Sequence, residues 1–201
     1  MMMLDTIIVV FLLFIFLCSG LWIAVALLLA GSISLFLQSG EAAYTQIANV
    51  AWSTVDSFTL TAIPLFIFMG ALFEKAGMGE TLFNSLEKLI GRIKGGLLHA
   101  GLASCALFSA ISGSSVATAA TISTVAYPEL ERRNYDPRIS LGSLAAGGTL
   151  GILIPPSLAA ILYGGVTGES IGKLFISGVI PGLLMVSLFS LYVGIRCKLQ
   201  P

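Results

Sequence analysis

From Thr6 to Leu37 the chain carries no charged side chain. A soluble fold has little use for a run of that length, whereas a bilayer needs only about 20 apolar residues for one crossing. As one straight helix the block would be about 48 Å long, against a hydrocarbon core of about 30 Å. Cys18-Ser19-Gly20 offers a break, so two short helices are favoured over one steeply tilted one, and the side of Met1 stays open. Ala24-Val25-Ala26 faintly resembles a leader cleavage site. No Lys or Arg precedes it, however, and the apolar run exceeds a signal core, so a retained membrane segment is expected.

The rest of the chain has the same character. Only 10% of the 201 residues are charged, against about 25% in soluble domains, too few to cover a water-facing surface. A formal net charge of zero offers no basic surface, and no nucleic-acid partner is expected. Cys18, Cys105 and Cys197 are odd in number and far apart in or beside apolar runs. That spacing fits neither a disulfide framework nor a zinc site.

An all-α membrane protein follows, with a definite order of segments. Residues 1–75 read as scaffold transmembrane helices, interrupted by a polar surface connection from Gln38 to Asn49 and carrying Ile63-Pro64 inside the second block. Residues 76–95 read as an amphipathic interfacial helix. There Leu82, Phe83, Leu86, Leu89, Ile90 and Ile93 recur at helical spacing among Glu80, Glu87, Lys88, Arg92 and Lys94. Residues 96–128 form a long stretch without acid or base except His99, closed by Pro128. A charged loop follows, then a broken transmembrane segment over 139–163, a short polar loop, and a last span over 172–196 with Pro181-Gly182 as a kink.

Positive charge marks cytoplasmic loops. Lys75, Lys88, Arg92 and Lys94 precede the 96–128 stretch, and Arg132, Arg133 and Arg138 follow it, so both of its ends belong on the cytoplasmic side. A single crossing contradicts that. Divided at Gly113, each limb has about 16 residues, or about 24 Å of helix, short of the core. The expectation is a re-entrant helical hairpin entering from the cytoplasm and turning near Ser112-Gly113-Ser114. Such a tip must be buried in protein or line a wet cavity.

Two interrupted segments thus lie in apolar surroundings: Ser112-Gly113-Ser114-Ser115, and Gly147-Gly148-Thr149 through Pro155-Pro156. Backbone groups freed there must find partners. Carbonyl and hydroxyl oxygens suit a hard cation such as Na⁺ without a carboxylate, and broken helices near the midplane are where secondary transporters bind ions and substrates. Helix packing is the plainer use of the same small residues, and for any one of them both readings stand. An enzyme is not expected: His99 is the sole histidine, no serine is paired with it by spacing, and Asp56 has no second carboxylate at helical distance.

Leu60-Thr61-Ala62-Ile63-Pro64-Leu65-Phe66-Ile67-Phe68-Met69-Gly70 resembles an early helix of the large membrane subunit of TRAP (tripartite ATP-independent periplasmic, DctM-like) transporters. Ser112-Gly113-Ser114-Ser115-Val116-Ala117-Thr118-Ala119 resembles its first hairpin tip, and Gly147 through Ser157 its first broken helix. The resemblance extends over essentially the whole chain. It implies one repeat of an elevator-type ion-transporter-superfamily fold in a multi-pass subunit of the bacterial inner membrane. That subunit would be a permease for carboxylates such as C4-dicarboxylates or sialic acid, working by symport with Na⁺ as coupling ion and without an organic cofactor. The implied partners are a small four-helix membrane subunit, a periplasmic substrate-binding protein and the missing C-terminal half of a subunit roughly twice this length. Carried over by motif, the sodium ligands would come from Ser112, Gly113, Ser114, Ser115, Gly148, Thr149 and Gly151, with Pro155 and Pro156 breaking the helix. Another elevator-type anion/sodium symporter, or a structural fragment without transport of its own, are the alternatives.

Overall fold

A computed structural model describes residues 2–93 and 95–199. Met1 and Lys94, the latter one of the expected surface cations, lie outside the described residues. Among the described residues the chain forms ten α-helices and no strand: α1 Met2–Cys18, α2 Ile23–Ser39, α3 Ala42–Val55, α4 Phe58–Lys75, α5 Met78–Ile90, α6 Gly96–Ser112, α7 Ser115–Arg132, α8 Pro137–Leu153, α9 Leu158–Thr167 and α10 Ile171–Leu199. They divide into two compact units, Met1–Ser57 and Phe58–Pro201.

In the first unit α1 packs on α2 and α2 on α3. The long apolar block is two helices, separated at Gly20, whose φ of 78° a residue with a Cβ would resist. Ala26, Ala30 and Ala43 are buried, and small side chains of this kind let membrane helices approach closely. The large apolar side chains of α1 and α2 point outward, Phe11, Phe14, Leu27 and Leu28 among them, as in helices whose solvent is hydrocarbon.

The second unit is built around α6. It touches α4, α5, α7, α8 and α10, and most of its residues are buried, with Leu107 left exposed. Leu97, Leu98, Leu102, Cys105 and Phe108 of α6 form the core with Phe83 of α5, Ile122, Ala126 and Leu130 of α7, Leu144 of α8 and Val193 of α10. Glycine sets the α6–α8 spacing. A Cβ on Gly147 would lie 2.9 Å from Cys105 Cβ, and one on Gly101 would lie 3.3 Å from Leu144 Cδ2. α5 divides its apolar residues: Met78, Leu82, Phe83 and Leu86 pack on the core, while Leu89 and the following Ile93 stay exposed.

Among the described residues three segments by length and composition can cross a membrane: Phe58–Lys75, Pro137–Thr167 and Ile171–Leu199. The structure also corrects the sequence in two places. The expected connection from Gln38 to Asn49 is largely helical, since α3 begins at Ala42. Its alanines and Gln46 are good helix formers, and its polarity marks an exposed helix rather than a loop. Pro128 does not end its helix; it lies inside α7. Leu130, fully buried two residues on, anchors the continuation. So do the bonds that Arg132 and Arg133 donate to Glu129, at 2.8 and 2.9 Å. Arg133 also donates to Glu87 of α5.

Candidate functional site

The turn between α6 and α7 is held by its own residues. Gly113 adopts φ 61°, a left-handed conformation that glycine takes without strain, and its N–H donates to Ser109 O at 2.9 Å. Ser114 is extended and caps α7, its Oγ accepting from Ala117 N at 3.4 Å. Ser112 Oγ and Thr118 Oγ1, both buried, share a hydrogen bond of 2.9 Å across the turn.

The second interruption has a different cause. Pro155 and Pro156, joined by a cis peptide bond, have no N–H. The carbonyls of Gly151 and Ile152 therefore lack the donors that a continuous helix would supply four residues on. α8 stops at Leu153 and α9 restarts at Leu158, capped by Ser157, whose Oγ accepts from Ala160 N at 3.2 Å. α10 backs the gap through glycine: a Cβ on Gly178 would sit 2.8 Å from Leu153 O, and one on Gly182 would sit 3.1 Å from Ile154 Cγ1.

The two interruptions touch. Leu158 N donates to Gly113 O at 3.3 Å. A Cβ on Gly113 would meet Pro156 O at 3.0 Å. One on Gly151 would meet the Ser114 carbonyl carbon and Ser115 N at 2.6 Å, and one on Gly148 would meet Ala119 Cβ at 2.5 Å. From the far side, a Cβ on Gly70 of α4 would lie 3.5 Å from Ser112 Cα. Two helix C-termini (α6, α8) and two N-termini (α7, α9) therefore meet at one place. C-terminal carbonyls carry partial negative charge and suit a cation, while N-terminal amides suit an anion such as a carboxylate.

Ser112, Gly113, Ser114, Ser115, Gly148 and Gly151 are thus brought together by direct contact or by adjacency in the turn. Thr149 is set apart. It lies about 100° round α8 from Gly148 and about 160° from Gly151 at 3.6 residues per turn. It is exposed, and its Oγ1 donates to Ala146 O at 2.6 Å. Sequence reasoning passed over Thr118, Gly70 and Leu158. Thr118 sits in the quoted hairpin motif, but its pairing with Ser112 is visible only once the turn is closed.

A family model for the DctM component of the tripartite ATP-independent periplasmic transporters matches residues 10–200. This chain belongs to that family. It is 38% identical over 175 residues to a C4-dicarboxylate TRAP transporter large permease protein of Pseudomonas aeruginosa, covering 86% of this chain and 41% of the relative. To the isethionate TRAP transporter permease of Oleidesulfovibrio alaskensis it is 37% identical, covering 84% of this chain and 26% of the relative. A 2,3-diketo-L-gulonate TRAP transporter large permease protein of Escherichia coli is 35% identical, with 83% and 39% covered. The chain spans about two fifths or less of the length of these relatives. Those relatives are named as transporter permease proteins and not as enzymes.

Proposed function

We propose that this chain provides one ion- and substrate-binding repeat of a TRAP large permease that takes up an organic acid across the bacterial inner membrane in symport with Na⁺. The observation that carries this reading is the contact between the Gly113 turn and the Pro155-Pro156 break, Leu158 N to Gly113 O at 3.3 Å. Around it, the Gly151 and Ile152 carbonyls freed by the prolines, with the serine hydroxyls of the tip, would hold the cation. The N-termini of α7 and α9 would face the substrate carboxylate. The α6–α7 pair is read as re-entrant. At 17 residues α6 is about 26 Å long, short of the core of about 30 Å, and α7 ends among charges.

The relatives' names fit such a substrate, since C4-dicarboxylate, isethionate and 2,3-diketo-L-gulonate are all anions. The assembly we propose includes a small four-helix membrane subunit, a periplasmic substrate-binding protein and the remainder of the large subunit. Together they would work as an elevator. The test is uptake into proteoliposomes by a complete permease carrying this sequence with its partners, titrated with Na⁺, against Ser114→Ala and Ser115→Ala. Sodium dependence is expected to weaken more than membrane expression falls, and liposomes holding this chain alone are expected to be silent. Unchanged sodium dependence in both variants refutes the cation cage.

A further inference from the structure

We propose that the corner where the end of α10 meets the start of α6 binds the phosphate headgroup of an anionic phospholipid. The corner is built by close contacts. His99 of α6 sets its two ring nitrogens against Gly95 O (2.9 Å) and Ser190 O of α10 (3.1 Å). A Cβ on Gly95 would lie 2.6 Å from Cys197 Sγ. The last turns of α10, with Arg196 and Lys198, are thereby held beside the α5–α6 turn, with Arg92 three residues before Gly95.

Nothing in the neighbouring sequence neutralises these cations. There is no Asp or Glu between Glu87 and Glu129, and none after Glu169. Glu87 and Glu129 are themselves engaged by Arg133. Among the described residues Arg92, Arg196 and Lys198 have no ion pair, and Arg196 Nε is sealed from solvent without an acceptor. The guanidinium is thus partly desolvated without a counter-charge, which is costly; Arg196 is half-buried rather than sealed as a whole, and an oxyanion at its open side would pair with its terminal N–H groups.

A lipid fits better than a free anion because an exposed apolar surface, Leu188, Leu191, Tyr192, Ile195 and Leu199, runs along α10 next to the cations. Acyl chains would lie along that surface with the phosphate at the corner. Basic clusters at the cytoplasmic ends of membrane helices recognise anionic headgroups in this way. On the topology proposed above this is the cytoplasmic leaflet, but the binding itself does not depend on transport.

Native mass spectrometry of the full chain released from detergent, loaded with phosphatidylglycerol or with phosphatidylcholine of the same acyl chains, tests it. Phosphatidylglycerol is expected to be retained selectively. Arg196→Gln with Lys198→Gln is expected to bind it roughly 30-fold more weakly, the effect of two juxtamembrane charges, while Lys173→Gln at the other end of α10 binds it like the parent. Equal retention of both lipids overturns the proposal, as does undiminished binding by the double variant. An excess of inorganic phosphate that raises the melting temperature as much as phosphatidylglycerol does would show a free-anion site instead, and also overturns it. If the double variant does not fold, the comparison of the two lipids on the parent chain decides.

Discussion

Gly151 is the position where the broken helix and the hairpin tip come closest, and Gly151→Ala measures that contact. The added Cβ would lie 2.6 Å from the Ser114 carbonyl carbon and from Ser115 N, and 2.7 Å from Ser114 O. All three are backbone atoms, so no rotamer change relieves the overlap, and α8 must move off the tip by several tenths of an ångström. Overpacking of this kind costs about 1–3 kcal/mol. Alanine recovers up to about 1 kcal/mol of helix propensity; set against the middle of the overpacking range, about 2 kcal/mol, the net loss is about 1–2 kcal/mol. For a chain of this size each kcal/mol moves the melting temperature by about 2–4 °C, so a drop of about 2–8 °C is expected. Gly142→Ala, on the same helix but with nothing within 4 Å of its Cβ, removes the overlap and keeps the propensity gain. It should raise the melting temperature by about 2–4 °C. Thermal unfolding in detergent by circular dichroism, with amide exchange followed over residues 112–118, reads both. Two variants that rise together, with exchange at the turn unchanged in Gly151→Ala, would show that the two breaks do not bear on each other.

Two other perturbations probe the same unit. Thr118→Val removes the 2.9 Å partner of buried Ser112 Oγ, which keeps its longer bonds to Ser114, and should cost about 0.5–1.5 kcal/mol, whereas Thr118→Ser retains a hydroxyl; equal melting temperatures for the two variants contradict the bond. At the charged end of α7, the hydrogen bond from Arg133 holds the Glu129 carboxyl below the ordinary glutamate range, assisted by Arg132 and opposed by partial desolvation. A pKa depressed by folding stabilises the folded state fully above the unfolded value, about 4.3, and that stabilisation disappears as pH falls through the lower folded value. Because Arg133 also reaches Glu87, amide protection in α5 should fall on acidification in that window. Glu129→Gln should flatten the profile, and an identical acid profile in that variant would refute the coupling.

The helical class and the family were legible in the sequence for plain reasons. Charge is too sparse for a water-facing surface, and the glycine- and proline-rich motifs are long. Two adjacent prolines cannot continue a ladder of N–H donors, so an interruption near Pro155 is written locally. A Ser-Gly-Ser turn between apolar limbs is written in the same way. Local reading failed where burial decides. Gln38–Asn49 looked like a connection because polarity in a short segment does not separate a loop from an exposed helix. Pro128 looked like a terminator because the burial of Leu130 and the bonds to Glu129 that carry α7 past it are tertiary.

Taken alone, the chain's order of residues determined that it would be helical, that it would favour hydrocarbon over water, and where its backbone ladder would be cut. Those properties depend on composition and on neighbours a few positions apart. Only the tertiary structure decided that the two cuts lie against each other, that Gly148 and Gly151 face the turn while Thr149 faces elsewhere, and that Cys197 at the end of α10 packs against Gly95 at the start of α6. Contacts between residues about 30 to 100 positions apart depend on which helix faces pack, and packing is settled by the shapes of all the helices at once.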